Sequence, residues 1–168
     1  MVELSPKDSG QKGFRGYRIL GIILNGIALF FLLDILFSFG ALGFQPSMLL
    51  VLFVVICMLI YTNLSIVFGR LVLRNGLDIA PKVRDWLRVN SIICFAGTSL
   101  MALVLLVSLL SPKLFKSIAE QKKVDMAYVE YAFFFLLFTC LLFMAHVLMT
   151  WYYLRRYKDH FKEKPPGS

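Results

Sequence analysis

The sequence predicts an all-α fold: a polytopic transmembrane four-helix bundle with short interfacial amphipathic helices in the loops after helices two and three. The first reason is composition, because 59% of the 168 residues are hydrophobic and only 17% are charged. Soluble domains average about 45–50% apolar and about 25% charged residues. The second reason is that the apolar residues form four long runs, and the third is that Lys and Arg lie between those runs. Ordinary numbers of Gly, Pro and Cys also exclude disordered and disulfide-rich scaffolds.

Each apolar run is long enough to cross a hydrocarbon core, which takes about 20 helical residues. In lipid, every backbone must satisfy its own hydrogen bonds, and barrel strands would be half as long and would alternate polar with apolar residues. The runs do not alternate, so we expect helices. The predicted transmembrane domain covers residues 19–154, with helices at about 19–42, 48–68, 91–110 and 131–154.

The three predicted loops differ in charge and in helical pattern. Residues 43–47 carry no charge, so helices one and two are expected to form a tight antiparallel hairpin. In the second loop, 69–90, the pair Asn75-Gly76 is typical of a helix end, and the apolar residues after it recur at helical spacing. We therefore expect a short amphipathic helix at the membrane surface that runs into helix three, and a second such helix within 111–128.

The distribution of basic residues predicts the orientation. Of the 18 Lys and Arg, four lie in residues 1–18, five in 69–90 and five in 155–168, whereas 43–47 has none and 111–128 has four. Basic loops stay on the cytoplasmic side, so both termini are expected there, with 1–18 as a cytoplasmic segment and 155–168 as a disordered basic tail. The net charge of +8 then favours anionic lipid headgroups as partners and not nucleic acid.

Asp34 is the only carboxylate well inside a predicted span, roughly 22 Å from its cytoplasmic edge. A charged Asp at mid-helix raises the free energy of membrane insertion by about 2.5–3.5 kcal/mol, so we expect Asp34 to have a structural or functional role. One interpretation is a proton- or cation-coupling site. The other, which we favour, is a hydrogen-bonded Asp that fixes helix contacts, with Thr139 at similar depth on helix four as the expected partner.

His146 belongs to a polar stripe on one side of helix four. The stripe spans about 60° and contains Thr139, His146, Thr150 and Tyr153. By residue count, Asn25 and Asn63 reach the depth of His146 on helices one and two. We expect an inner hydrogen-bonded layer that either holds the helices together or lines a small inward-facing cavity, and the first is favoured because interhelical polar contacts are common. A second haem ligand within the membrane is missing, so no cofactor is expected.

Asn25 and Asp34 are nine residues apart, which places them about 180° apart on helix one. If helix one is central, it contacts partners on both sides; if it is peripheral, one of the two residues faces lipid, a second copy or another membrane protein, and a homo-oligomer is one way to bury it.

Small residues on helix three predict close helix packing. Cys94, Thr98 and Ala102 follow one another at four-residue steps, as in small-xxx-small interfaces. Three cysteines inside predicted helices indicate packing residues, without a disulfide framework or a metal site. No Gly-x-Ser-x-Gly, His-Glu-x-x-His or phosphate-binding glycine loop occurs, so we expect no enzyme.

Three functional hypotheses follow. The leading one is a non-catalytic membrane module that binds other membrane proteins or lipids. The alternative is a small ion- or proton-coupled transporter or channel subunit that uses Asp34, and the third is a membrane-embedded enzyme. The position of Asp34 separates them: an interior position beside a cavity favours transport, whereas a sealed contact favours the binding module.

Overall fold

In a computed structural model of this protein, most of the described residues are helical. The structure describes residues 7–42, 46–111, 113, 117 and 125–161. The described residues form four long helices, which are α1 (Lys7–Leu42), α2 (Pro46–Phe68), α3 (Pro81–Leu109) and α4 (Met126–Arg156). Four segments are long and apolar enough to cross a membrane: Phe14–Phe39, Met48–Arg74, Pro81–Leu109 and Met126–Arg156, of which the second runs past the end of α2. The predicted helical class and the four apolar helices are confirmed and are compatible with a multi-pass membrane protein.

The helix bounds differ from the sequence prediction at the polar ends. α1 begins at Lys7, whereas the apolar run predicted a start near residue 19. Hydrophobicity marks only the part of a helix that lipid can cover, and backbone hydrogen bonds extend the helix beyond it. For the same reason, residues 81–90 are the first turns of a continuous α3, with Pro81 at its first position, and they do not form a separate helix. The placement of these turns at a membrane surface stays a prediction.

α2 ends in a wide turn that the sequence predicted only in part. Residues Gly69–Arg74 form a π-helix, and Gly76 follows with a φ of 63°, a conformation that favours glycine. The Gly76 N–H donates to Val72 O (2.9 Å) and the Leu77 N–H donates to Leu71 O (3.0 Å). Both bonds span one residue more than in an ordinary glycine C-cap, which fits the wider turn before them. The predicted stop at Asn75-Gly76 is therefore present.

The chain divides into two compact units, residues Met1–Cys94 with His146–Ser168, and residues Phe95–Ala145. In the second unit, Val129 is buried against Leu109 and Phe133. In the first unit, α1 and α2 run antiparallel, because rising residue numbers on α1 meet falling numbers on α2. A methyl group added at Gly69 would contact Tyr17, one added at Gly21 would contact Ser65, and Asn25 bonds to Thr62.

The segment after α4 folds back onto the first unit. A short 3-10 helix, Lys158–His160, leads to Phe161, which is 8% exposed and stacks on Phe68 with ring centroids 5.8 Å apart. The Ile79 N–H donates to His160 O at 2.9 Å. The sequence predicts a disordered tail over 155–168, but the part up to Phe161 is packed because this aromatic ring finds apolar cover. Residues 162–168, and most of the interfacial helix predicted within 111–128, lie outside the described residues.

Candidate functional site

The polar stripe predicted on α4 lies in the interior. Thr139 is 3% exposed, His146 and Thr150 are fully buried, and Tyr153 is half-buried. A buried polar side chain needs a hydrogen-bond partner, and His146 and Thr150 find theirs on neighbouring helices and on α4 itself.

His146 and Thr150 form a network with two tyrosines from α1 and α2. The Tyr61 hydroxyl lies 2.7 Å from His146 Nδ1 and 2.8 Å from Thr150 Oγ1. The Tyr17 hydroxyl lies 3.0 Å from Thr150 Oγ1, and Thr150 Oγ1 donates to the His146 main-chain carbonyl at 2.9 Å. Three hydrogen bonds thus join α1 and α2 to α4, and a fourth lies within α4, among buried side chains.

The number of available protons assigns the direction of every bond. The His146 carbonyl can only accept, so the Thr150 proton goes to it. Tyr17 and Tyr61 then both donate to the two lone pairs of Thr150 Oγ1. Tyr61 has no second proton, so its oxygen accepts from Nδ1–H of the imidazole. All four bonds form together only when the neutral His146 ring carries its proton on Nδ1.

The other ring nitrogen, Nε2, is buried and makes no hydrogen bond within the described part of the chain. The main-chain carbonyl of Tyr17 lies near the ring without meeting hydrogen-bond geometry at Nε2. The Tyr17 ring stacks on the imidazole at 4.6 Å, and a methyl group added at Gly21 would lie 3.2 Å from Nε2. The imidazole is thus in close contact with α1 on this side, and the network joins α1 and α2 to α4.

Asn25 and Asn63 form a second, separate cluster. Asn63 Nδ2 donates to Asn25 Oδ1 at 3.3 Å, and Thr62 Oγ1 donates to the same oxygen at 2.9 Å. No hydrogen bond joins either asparagine to His146 among residues that the structure describes. The sequence predicted a single layer of these three residues, and the structure brings together only the two asparagines.

Asp34 lies on an outward face of α1. Its side chain is exposed, and it forms no hydrogen bond or ion pair with any described residue. The apolar side chains around it are also exposed: Phe30, Leu33, Leu36 and Phe37. Among the described residues, then, nothing satisfies this carboxylate.

The small residues predicted for packing on α3 are mostly buried. Cys94 is fully buried, Thr98 is 1% exposed and Ala102 is half-buried. Cys57 and Cys140 are buried as well, and none of the three cysteines forms a disulfide. In the described ranges, no group of three or more His, Cys, Asp or Glu side chains is placed to hold a metal ion.

Sequence reasoning missed the aromatic partners of the network. Tyr17 is 1% exposed, and Trp151 Nε1 donates to Ser91 Oγ at 2.6 Å; neither contact is predicted from the sequence. The sequence does not single out Tyr61 either, although Tyr61, Thr62 and Asn63 are three consecutive polar residues within the run 48–68. Comparison with protein-family models, with curated proteins and with solved structures finds no match.

Proposed function

We propose that this chain is a non-catalytic, multi-pass membrane protein that binds another membrane protein through the Asp34 face of α1. The observation that carries the proposal is the exposed carboxylate of Asp34 within the apolar segment Phe14–Phe39. A charged Asp in contact with lipid at mid-helix costs about 2.5–3.5 kcal/mol. A partner helix that offers a cation at this depth removes that cost.

The partner is expected to be a different chain. No Lys or Arg occurs in residues 19–42, 48–68, 91–110 or 131–154, so a second copy brings no cation to the depth of Asp34. A span of another protein that carries Lys or Arg fits this face. The exposed aromatic and aliphatic side chains beside Asp34 would supply the packing around such a pair.

Transport and catalysis receive less support from the same geometry. A coupling carboxylate lines a path through the protein, whereas Asp34 lies on an outer face. His146, in contrast, is buried and is enclosed by Tyr17, Tyr61 and Thr150. An enzyme would need a second reactive group beside Asp34, and no described residue bonds to it. Flux in reconstituted vesicles decides the transport alternative: pH-dependent flux that Asp34→Asn abolishes would replace our proposal.

Site-specific photo-cross-linking in native membranes tests the binding face. A photoreactive residue at Phe37, which is 78% exposed and near Asp34 on the helix surface, should form an adduct with a single membrane protein. The same reagent at Leu100, which is 65% exposed on α3, is the matched control. The Asp34→Leu variant should lose the Phe37 adduct, because the polar anchor is gone, whereas Asp34→Asn should retain part of it.

Two results would contradict the proposal. One is an adduct from Phe37 that Asp34→Leu leaves unchanged. The other is a partner whose spans carry no Lys or Arg within reach of the Asp34 depth.

A second part of the proposal concerns the end of the first unit at which α1 starts and α2 ends. Phe161 forms a cation–π contact with Arg84 and stacks on Phe68. These contacts bring the segment after α4 close to the start of α3 and the end of α2. Ten Lys and Arg side chains and three Asp side chains are described in residues 14–18, 68–94 and 146–161. We assign this end to the cytoplasmic side, where each basic residue near the surface contributes about 1 kcal/mol toward anionic lipid.

Cysteine labelling checks the assigned side. Because the three native thiols are buried, Leu77→Cys and Ser111→Cys would present the reactive thiols. An impermeant maleimide should label Ser111→Cys in intact cells and should label Leu77→Cys only after permeabilisation. The reverse pattern would invalidate both the orientation and the lipid assignment.

Native mass spectrometry from mixed zwitterionic and anionic lipid micelles measures lipid binding itself. The variant Arg70→Gln/Arg74→Gln should retain fewer anionic lipids than the wild type, because both side chains are exposed at the basic end. Lys113→Gln, outside that end, is the control and should leave the count unchanged. Equal losses in both variants would remove the lipid assignment.

A further inference from the structure

The amide orientations in the Asn25–Asn63 cluster are fixed by their neighbours. Asn63 bonds to the main-chain carbonyl of Leu59 at 2.8 Å, and a carbonyl only accepts, so the Asn63 atom there is Nδ2. The same Nδ2 bonds to Asn25 at 3.3 Å, so the Asn25 atom there must be the accepting Oδ1. Thr62 Oγ1 lies 2.9 Å from that oxygen and 3.0 and 3.1 Å from the main-chain carbonyls of Met58 and Leu59, which share its single proton.

This assignment leaves one donor group and one acceptor group unused. Both protons of Asn63 Nδ2 are engaged, whereas Asn63 Oδ1 has no partner among the described residues. The two protons of Asn25 Nδ2 are equally without a partner there. Asn63 is exposed and Asn25 is half-buried, and both lie within membrane-spanning segments, Phe14–Phe39 and Met48–Arg74. Two strong hydrogen-bonding groups therefore lie side by side on a surface where lipid tails offer nothing to bind.

The pair is complementary to itself. A two-fold rotation places Asn25 Nδ2 of one copy against Asn63 Oδ1 of the other, and the symmetry forms the same bond a second time. A helix of another protein would have to carry a matching donor and acceptor at the right separation. A second copy of this chain carries both groups because its sequence is the same. The occupant that best fits this face is accordingly this chain itself.

The backbone beside the amides is open to close approach. Gly26 follows Asn25 directly and is exposed, and a methyl group added there would meet no atom within 4 Å. Ile22 and Leu29, one turn to either side, are each 50% exposed. Glycine at such a position lets two helices approach closely enough for short side chains to bond across the contact.

We propose that two copies of this protein associate in the membrane across the face formed by Asn25, Gly26 and Asn63, through reciprocal amide hydrogen bonds. Around α1, Asp34 lies about 180° from Asn25 and about 80° from Gly26, so its carboxylate lies outside the amide contact. The dimer does not rest on the proposed function, and either proposal stands if the other fails.

Energy transfer between donor- and acceptor-labelled copies in lipid vesicles, measured over a range of protein-to-lipid ratios, tests the proposal. Gly26→Leu should raise the dissociation constant about tenfold, because it separates the helices and breaks two bonds that each change affinity about threefold. Gly16→Leu is the matched control, since Gly16 is also exposed on α1 and a methyl group there also meets nothing within 4 Å. Asn63→Leu should weaken association to a similar degree, and Asp34→Leu should leave it unchanged.

A second measurement gives a gain of signal that does not depend on weakened binding. Gly26→Cys should form an intermolecular disulfide on mild oxidation, because the two Gly26 positions lie close to the two-fold axis, whereas Gly16→Cys should not. The native cysteines are buried and should not contribute.

The proposal is overturned if the wild type shows no concentration-dependent energy transfer. It is equally overturned if Gly26→Leu associates as the Gly16→Leu control does, which is the result expected when lipid or another protein occupies this face. Weakening by Asp34→Leu alone would assign self-association to the Asp34 carboxylate and would also reject it.

Discussion

Tyr61→Phe removes the central oxygen of the buried network and no other heavy atom. In the wild type this hydroxyl accepts from His146 Nδ1–H and donates to Thr150 Oγ1, at 2.7 and 2.8 Å. Its loss leaves a buried N–H donor with no acceptor, which costs about 1–3 kcal/mol in protein interiors. Interhelical hydrogen bonds in membrane proteins average about 0.6 kcal/mol, with a maximum of about 1.7. We therefore expect Tyr61→Phe to lower the free energy of unfolding by about 2 kcal/mol.

Tyr17→Phe supplies the internal comparison. It also removes one buried hydroxyl, but Thr150 Oγ1 still accepts from Tyr61 and still donates to the His146 carbonyl. No donor is left without an acceptor, so the expected cost is about 0.6 kcal/mol. Tyr128→Phe, at a side chain that is 68% exposed, is the control and should change stability by less than about 0.5 kcal/mol.

Reversible unfolding in mixed detergent micelles, followed by circular dichroism, measures these differences. The informative result is the order of the three variants, since it follows directly from the assigned protons. If Tyr17→Phe costs as much as Tyr61→Phe, the direction of the bonds is wrong. If both behave as Tyr128→Phe does, the network contributes nothing to stability.

Three further predictions concern neighbouring contacts. Nitrogen NMR of labelled histidine should show the proton of neutral His146 on Nδ1, with His146→Gln assigning the signal; a proton on Nε2 would refute the bond directions. Gly21→Ala should destabilise the protein, because its methyl group lies 3.2 Å from Nε2, whereas Gly16→Ala should stabilise it by up to about 1 kcal/mol through helix propensity. Phe161→Ala should speed hydrogen exchange at the Ile79 amide, which donates to the segment that Phe161 anchors, and unchanged exchange would show that the ring does not hold this segment.

The sequence predicts which faces are buried better than it predicts which residues meet. Helical spacing placed His146 and Thr150 on one buried stripe, and depth counting brought Asn25 and Asn63 together correctly. Depth counting could not separate His146 from the asparagines, because it ignores the direction in which each side chain points.

The separation of the two clusters arises on α2. Tyr61 and Thr62 are consecutive and therefore about 100° apart around the helix, so one bonds to α4 and the other to α1. Contacts at the polar ends of the helices were not predicted from the sequence either. The stacking of Phe161 on Phe68 depends on one aromatic ring in a charged segment, which composition alone identifies as unfolded.

Thr150 bonds to a tyrosine 133 residues earlier in the chain and to another 89 residues earlier. Before α4 is made, neither tyrosine hydroxyl has the Thr150 oxygen to donate to, so this part of the network forms only once the chain reaches Thr150.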